Sequence, residues 1–91
     1  MIHVETKGGF VCDIPEENLD NMELLEELAR WKRGDKLAVI PAIEQLLGKE
    51  GKQALYDHFR DETGRVPASL VSAAALEIFQ ALDGVSAGKN S

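Results

Sequence analysis

The chain has 91 residues, 44% of them hydrophobic, and this length and composition fit one compact domain rather than a disordered segment. Ten basic and sixteen acidic residues give a net charge of −6, which argues against binding to nucleic acid or to an anionic membrane surface. The single cysteine excludes an internal disulfide, and the lack of a signal peptide or of an apolar run of roughly 20 residues predicts a cytoplasmic protein.

The first predicted element is a β-hairpin over residues 2–14, where apolar and polar side chains alternate in two short runs. A two-residue loop would pair Val4 with Asp13 and divide the apolar side chains between the two faces. A three-residue loop over residues 7–9 would instead pair Val4 with Cys12 and place all five apolar side chains on one face. We prefer the second register, in which the shared face consists of Ile2, Val4, Phe10, Cys12 and Ile14.

The second predicted element is a helix that begins after an N-cap at Asp20 or Asn21 and ends at Gly34. Most of the acidic residues between positions 13 and 27 lie before this helix or in its first turns, where the helix dipole favours negative charge. We expect two adjacent apolar rows on the helix to be buried. One row consists of Leu24, Leu28 and Trp31, and the other of Leu25 and Ala29.

Residues 37–47 form the most apolar stretch of the chain, interrupted only by Glu44 and Gln45. We expect this stretch to be the central helix, because a helix that is apolar nearly all round must be covered by other elements. Pro41 lies inside it and cannot take part in an uninterrupted helix interior without the loss of a hydrogen bond. Either a short turn precedes a helix that begins at Pro41, or one helix is kinked there. Gly48 is predicted to end the element.

Two further helices are predicted in the second half of the chain. The first covers about residues 49–62 and is capped by Gly64. The second begins at Pro67, which suits the first helical position, and stops at Gly84. The inner face of the first consists of Leu55, Tyr56 and Phe59, and that of the second of Val71, Ala75, Ile78, Phe79 and Leu82.

These elements define a mainly α fold of the α+β class, in which an N-terminal β-hairpin packs on a compact bundle of about four short helices. We predict a single domain over residues 1–84 and a disordered C-terminal tail over residues 85–91, because the tail is small and polar.

No combination of side chains predicts catalysis or metal binding. Zinc sites pair their ligands at short spacing, and His3, His58 and Cys12 show no such spacing. The carboxylates of Asp57 and Asp61 lie on one short helix and have no catalytic partner nearby, so we interpret them as a solvated surface. We therefore predict a protein that is not an enzyme and has no cofactor and no metal.

Two features predict a surface for a protein partner. The seven acidic residues within positions 13–27, with no basic residue among them, either serve only the helix dipole and solubility or form a surface for a partner with basic segments. Trp31 is either part of the core or an exposed anchor, since Trp and Met are enriched at interfaces. The candidate partner-binding residues are Met22, Glu23, Glu26, Glu27 and Trp31.

Seven short motifs follow one another along the chain. They are F-V-C-D-I (residues 10–14), E-L-L-E-E-L (23–28), L-L-G (46–48), A-L-Y-D-H-F (54–59), D-E-T-G-R-V-P (61–67), E-I-F (77–79) and a terminal G-K-N-S (88–91). In this order, and in a chain of this length, they resemble the tail assembly chaperones of long-tailed bacteriophages and of prophages of Gram-positive bacteria. The resemblance covers most of the chain.

The resemblance implies a small, largely helical, non-catalytic protein of the host cytoplasm. Such chaperones bind the tape measure protein, keep it soluble, help tail-tube subunits to polymerise around it and are absent from the mature virion. Many of their genes also encode a longer product through a programmed ribosomal frameshift. The codons AAA-AAC for Lys89-Asn90 would provide the core of a slippery heptamer here. The tape measure protein and the tail-tube protein are therefore the expected partners, and self-association into a homo-oligomer is left open.

Two alternatives from other functional classes are compatible with the sequence. One is a small structural component of the virion, such as a head–tail connector, which would be found in purified particles. The other is an acidic regulatory module that binds a basic protein, and its binding would depend strongly on salt.

Overall fold

The computed structural model describes residues 1–89 of the chain, with side chains up to Asp83. In this part of the chain, a two-stranded antiparallel hairpin packs against three α-helices. In chain order the elements are β1 (Ile2–Glu5), β2 (Val11–Ile14), a 3-10 helix (Glu16–Leu19), α1 (Met22–Lys32), a second 3-10 helix (Lys36–Ala38), α2 (Val39–Phe59) and α3 (Ala68–Lys89).

The hairpin has the predicted register. Val4 pairs with Cys12 and Ile2 with Ile14, so three residues form the loop. Val4, Phe10 and Ile14 are buried, and this face lies against the helices. Alternation along each strand therefore identified the inner face correctly, because a shift of one residue would have turned every apolar side chain outward.

Thr6 also belongs to the inner face of the hairpin and was not predicted there. It is 7% exposed, and its hydroxyl accepts a hydrogen bond from the backbone N–H of Phe10 at 3.1 Å. The same hydroxyl donates to the backbone oxygen of Phe10 at 3.1 Å. The two bonds satisfy the polar side chain at the end of the hairpin, next to the loop.

Helix α1 is capped by Asn21, whose side chain accepts a hydrogen bond from the backbone N–H of Glu23 at 3.0 Å. Leu24 is buried, and the rest of its row is half-buried, as predicted. The predicted second row is wrong, because Leu25 is 51% exposed. Leu25 lies at an open cleft between α1 and α3, together with Leu19 and Leu82, and these neighbours leave about half of it exposed.

Helix α2 is the central element and packs against α1, α3, β2 and the first 3-10 helix. It begins at Val39, directly after the second 3-10 helix, so a short turn precedes the helix as in the first of the two alternatives, but the helix begins two residues before the predicted start at Pro41. Pro41 falls in the first turn, where its missing N–H removes no helical hydrogen bond. The chain is instead interrupted at Gly48, whose φ of 76° and ψ of 174° are not helical.

The predicted bundle of about four short helices is therefore corrected to three helices in the described part of the chain, of which α2 is broken at Gly48. Gly48 separates two helical segments within α2, because its backbone conformation is not helical. Helix α2 ends at Phe59 rather than at residue 62. Gly64 does not cap the helix but lies in the following turn, with φ of 90°.

Helix α3 begins at Ala68, one residue after Pro67, and is assigned to Lys89 rather than ending at Gly84. A single glycine costs a helix only about 1 kcal/mol relative to Ala, so it does not by itself end one. The predicted end of this helix at Gly84 is therefore wrong. The domain boundary at residue 84 and the disorder of the tail over residues 85–91 stay predictions, and residues 90–91 lie outside the described part of the chain.

The core lies where α2, α3, α1 and the hairpin meet. Its fully buried large side chains are Ile14, Leu24, Ile43, Leu46, Leu55 and Ile78. Asn18 and Asn21 connect the entry of α1 to α2, since their amide groups donate to the Leu46 carbonyl at 2.8 Å and to the Gln45 side chain at 2.7 Å.

Candidate protein-binding surface

An open apolar groove lies where the start of α2 meets the start of α3. It has a volume of about 440 Å³. Its apolar lining consists of Leu37, Val39, Ile40, Tyr56, Val66, Ala68 and Val71, and its polar lining of Lys36 and Ser72. We call this feature the α2–α3 groove.

The local sequence explains why Leu37 points outward. Asp35 caps the second 3-10 helix by accepting a hydrogen bond from the Leu37 N–H at 3.2 Å. The chain then turns into α2, so that Ala38 is fully buried while Leu37 is 73% exposed. Ile40, one turn later, is 45% exposed. The expectation that residues 37–47 are covered on every side is therefore wrong at this edge.

The opposite wall of the α2–α3 groove belongs to the start of α3. Val66 lies just before Pro67, and Val71 is half-buried one turn into the helix. The preceding turn is held by Asp61, whose carboxylate accepts hydrogen bonds from the N–H groups of Thr63 at 2.9 Å and Arg65 at 3.1 Å. The hydrogen bond from the Thr63 hydroxyl, and after it these two backbone hydrogen bonds, lower the pKa of Asp61. The turn thus sets where α3 begins and leaves the space between the two helix starts open.

Sequence reasoning missed Leu37 and Ile40 as surface residues, although a signal was present. In a helix, positions 37, 40 and 44 lie on one face, and position 44 is Glu. A charged residue on a row of apolar residues indicates that the row reaches solvent, whereas the row of Ala42, Ile43 and Leu46 contains no charge and is buried.

The positive charge at the edge of the α2–α3 groove is not balanced within the described residues. Lys36 lines the groove and forms no ion pair in this part of the chain, and the same is true of Lys32 and Arg33 just before it. The edge of this groove is therefore locally positive in a protein whose net charge is −6.

The acidic residues near the same groove already have cationic partners. Asp35 pairs with Arg30 at 3.1 Å, Glu44 with Lys52 at 2.7 Å and Asp57 with Arg60 at 2.8 Å. The hydrogen bond from Lys52 lowers the pKa of Glu44, and that from Arg60 lowers the pKa of Asp57. Both carboxylates therefore stay charged and paired, and they leave Lys36 available.

The five predicted partner-binding residues do not form one surface. Met22 is 69% exposed, and Glu23 and Glu26 are exposed beside it on the outer side of α1. Glu27 is half-buried, and its carboxylate accepts a hydrogen bond from Arg30 at 3.1 Å. Trp31 packs against the core, with its ring edge-on to Phe79 at a centroid distance of 5.2 Å. The structure thus brings together Met22, Glu23 and Glu26 only.

Most of the acidic run remains without an ion pair in the described part of the chain. Asp13 is paired with His3 at 2.7 Å, and Glu16 lies 3.8 Å from the N-terminal amine of Met1. The carboxylates without such a partner there are those of Glu17, Asp20, Glu23 and Glu26.

The two histidines and the cysteine lie apart and have separate roles. His3 lies on the exposed hairpin face, and the carboxylates of Asp13 and Glu5 contact its two ring nitrogens at 2.7 Å and 2.9 Å. His58 donates a hydrogen bond to the Gly8 carbonyl at 2.9 Å. Cys12 is half-buried on the inner hairpin face, and burial raises the pKa of its thiol. The described residues contain no cluster of three or more ligands that could hold a metal ion.

A second groove, of about 390 Å³, lies between the hairpin loop and α3. Phe59 lines this groove, together with Leu70 and Leu76 of α3. The Lys7 N–H donates to the carboxylate of Glu77 at 3.0 Å and so ties the loop to the helix. Glu77 is thereby used within the fold, and this groove is less apolar than the α2–α3 groove.

Comparisons of the chain with models of protein families, with characterised proteins and with solved structures found no match. Within residues 1–89, no helix is both long enough and apolar enough to cross a membrane.

Proposed function

We propose that this protein is a non-catalytic tail assembly chaperone of a long-tailed bacteriophage or prophage, which binds the tape measure protein in the host cytoplasm and assists tail-tube assembly. The order of the short motifs along the chain supports this proposal. The structural observation that carries it is the α2–α3 groove, in which Leu37 and Ile40 expose apolar surface.

The physical argument rests on what such a chaperone must do. A tape measure protein is long and helical, so before assembly it exposes apolar stripes that promote aggregation. A chaperone must cover these stripes with apolar surface of its own and keep the complex in solution. The α2–α3 groove offers the first property, and the net charge of −6 offers the second.

Co-expression with the tape measure protein encoded nearby tests the function directly. We expect the tape measure protein to be soluble with the wild-type chain and insoluble without it. The Ile43→Asp variant, which is expected to unfold, serves as a control for nonspecific effects of co-expression. If the wild-type chain leaves the solubility of the tape measure protein unchanged, the proposal is wrong.

Purified phage particles separate the chaperone from the structural alternative. A chaperone that leaves before the virion is complete is absent from the particles, whereas a head–tail connector is present at a fixed stoichiometry. Mass spectrometry of particles, with the lysate as a positive control, therefore decides between the two classes.

A longer, frameshifted product is a further part of the proposal. It requires a slippery heptamer in the nucleotide sequence over Gly88–Asn90. A coding sequence without such a heptamer at this position removes the longer product but leaves the chaperone function of the short chain untouched.

One observation favours a second candidate, an acidic module that binds a basic protein. The exposed side chains of Met22, Glu23 and Glu26 lie together on the outer side of α1, and the two carboxylates have no ion pair within the described residues. This surface requires a basic partner, whereas the α2–α3 groove requires an apolar stripe. The salt dependence of binding distinguishes the two.

A further inference from the structure

We propose that the α2–α3 groove recognises an amphipathic helix of a protein partner, with the apolar side chains of that helix in the groove and a carboxylate near its end paired with Lys36. This inference rests on the proposed function and specifies which segments of the tape measure protein are bound. It places the binding site on Leu37, Ile40 and Lys36, not on the outer side of α1.

The lining of the groove favours a helical partner segment over an extended one. Its walls are side chains of α2, of α3, of the second 3-10 helix and of the turn before α3, and both strands of the hairpin lie elsewhere. An extended segment would need backbone partners that these apolar walls do not offer. A helix satisfies its own N–H and C=O groups and presents apolar side chains spaced three and four residues apart.

The exposed area makes the apolar contact substantial. Leu37 is 73% exposed and Ile40 is 45% exposed, so both lose contact with water when a helix covers them. Tyr56 and Val71 are half-buried and also line the groove. Contact with Leu37 alone contributes more to affinity than any exposed ion pair at the edge.

Charge complementarity determines the sign of the charge that the bound helix carries near Lys36. Lys36 lines the groove without an ion pair in the described residues, and the nearby carboxylates of Asp35, Glu44 and Asp57 are each engaged by Arg or Lys. A basic residue on the bound helix would therefore have to displace the Arg or Lys that already pairs with each of these carboxylates. An acidic residue could pair with Lys36 directly. The bound segment therefore carries Asp or Glu beside its apolar stripe.

Two synthetic peptides of about 18 residues, long enough to form a helix, test the inference. Both carry the same leucine stripe, and one ends in two Glu residues while the other ends in two Lys residues. Binding to the full chain is measured by fluorescence anisotropy of the labelled peptides. We expect the acidic peptide to bind about three- to fivefold more tightly than the basic one, since an exposed ion pair contributes little.

Three variants of surface residues complete the test. Leu37→Ser should weaken binding of the acidic peptide about tenfold or more, whereas Leu25→Ser, which removes an exposed leucine from α1, should leave it unchanged. Lys36→Glu should reverse the preference, so that the basic peptide binds more tightly. Equal losses in the two leucine variants, or a preference that Lys36→Glu does not reverse, would overturn the inference.

The same variants separate this inference from the proposed function. If the wild-type chain and Leu37→Ser both keep the tape measure protein soluble in co-expression, the chaperone function stands and the groove is not its binding site. If the wild-type chain fails to keep it soluble, the chaperone function is wrong, and the peptide measurements alone decide whether the groove binds acidic amphipathic helices.

Discussion

Ile43 and Glu44 are neighbours in the chain but lie in opposite environments. Ile43 is 2% exposed in the core, among side chains of the hairpin and of the other helices. Glu44 reaches solvent and forms an ion pair with Lys52 at 2.7 Å. Ile43 and Glu44 therefore lie on different faces of α2, and substitutions at these two positions test the predicted helix faces.

Replacing Ile43 by Asp should unfold the domain. An unpaired carboxylate in the core costs several kcal/mol, which is comparable with the whole stability of a small domain, about 5–15 kcal/mol. Glu44→Ala should shift the melting temperature by a few degrees at most, because it removes only one partly exposed ion pair. Circular dichroism melts of both variants check this, and equal damage from both would show that the assigned faces of α2 are wrong.

His3 should titrate above its usual pKa of 6.5, because Asp13 and then Glu5 accept hydrogen bonds from its charged ring. The contribution of these contacts to stability is complete below the unfolded pKa and is lost as the pH rises through the higher folded pKa. Asp13→Asn should lower the pKa of His3, as followed by NMR of the ring protons. Glu17→Gln, which alters a carboxylate not in contact with His3, should leave it unchanged.

At the scale of elements, two local features define the hairpin and the central helix. The hairpin is closed by Thr6, whose hydroxyl both accepts from and donates to Phe10 at 3.1 Å. Helix α2 is interrupted at Gly48, where φ is 76° and ψ is 174°. The first feature depends on the hydroxyl of Thr6, and the second depends on the absence of a side chain at Gly48.

Replacing Thr6 by Val should destabilise the protein by about 1–3 kcal/mol, because the buried N–H of Phe10 would lose its partner. Thr6→Ser retains the hydroxyl and should cost less. The free energies of unfolding in urea measure the difference. If Thr6→Val is as stable as the wild-type chain, the hydroxyl contributes nothing to the stability of the fold.

Replacing Gly48 by Ala should cost about 1–3 kcal/mol, since its backbone conformation is nearly exclusive to glycine. Steric crowding is not the obstacle, because a Cβ added at this position would have no described atom within 4 Å beyond its own chain neighbours. Lys49→Ala, at an exposed helical site, is the matched control and should be nearly neutral. A more stable Gly48→Ala variant would mean that α2 prefers to be one continuous helix.

At the scale of the whole molecule, charge is distributed unevenly. The outer side of α1 carries carboxylates without ion pairs among the described residues, whereas the edge of the α2–α3 groove carries Lys36 without one. A partner in the groove is held mainly by apolar contact. A partner on the outer side of α1 would be held mainly by charge.

Binding of the tape measure protein should therefore change by less than about threefold when the NaCl concentration is raised tenfold, since at most one exposed ion pair is screened. Isothermal titration calorimetry with a soluble tape measure fragment measures this. A loss of tenfold or more would favour the acidic module and its surface around Met22, Glu23 and Glu26.

The sequence by itself determined the local structure of this protein well. Alternation over residues 2–14 and the glycines of the loop defined the hairpin register, because only one register places every apolar side chain on one face. Asn21 was identified as one of two possible caps. Gly48 was predicted to end the central helix, and the structure has a break in α2 at this residue. These features depend on interactions within a few residues of the chain.

Only the tertiary structure decided which apolar rows are covered. Periodicity groups side chains onto one face but contains no information on whether another element lies against that face. Leu25, Leu37 and Ile40 therefore appeared to belong to the core, although none of the described elements covers them fully, and Trp31 proved to pack on Phe79. The α2–α3 groove depends on where two helices begin relative to each other, which is a property of the packed chain and not of either segment alone.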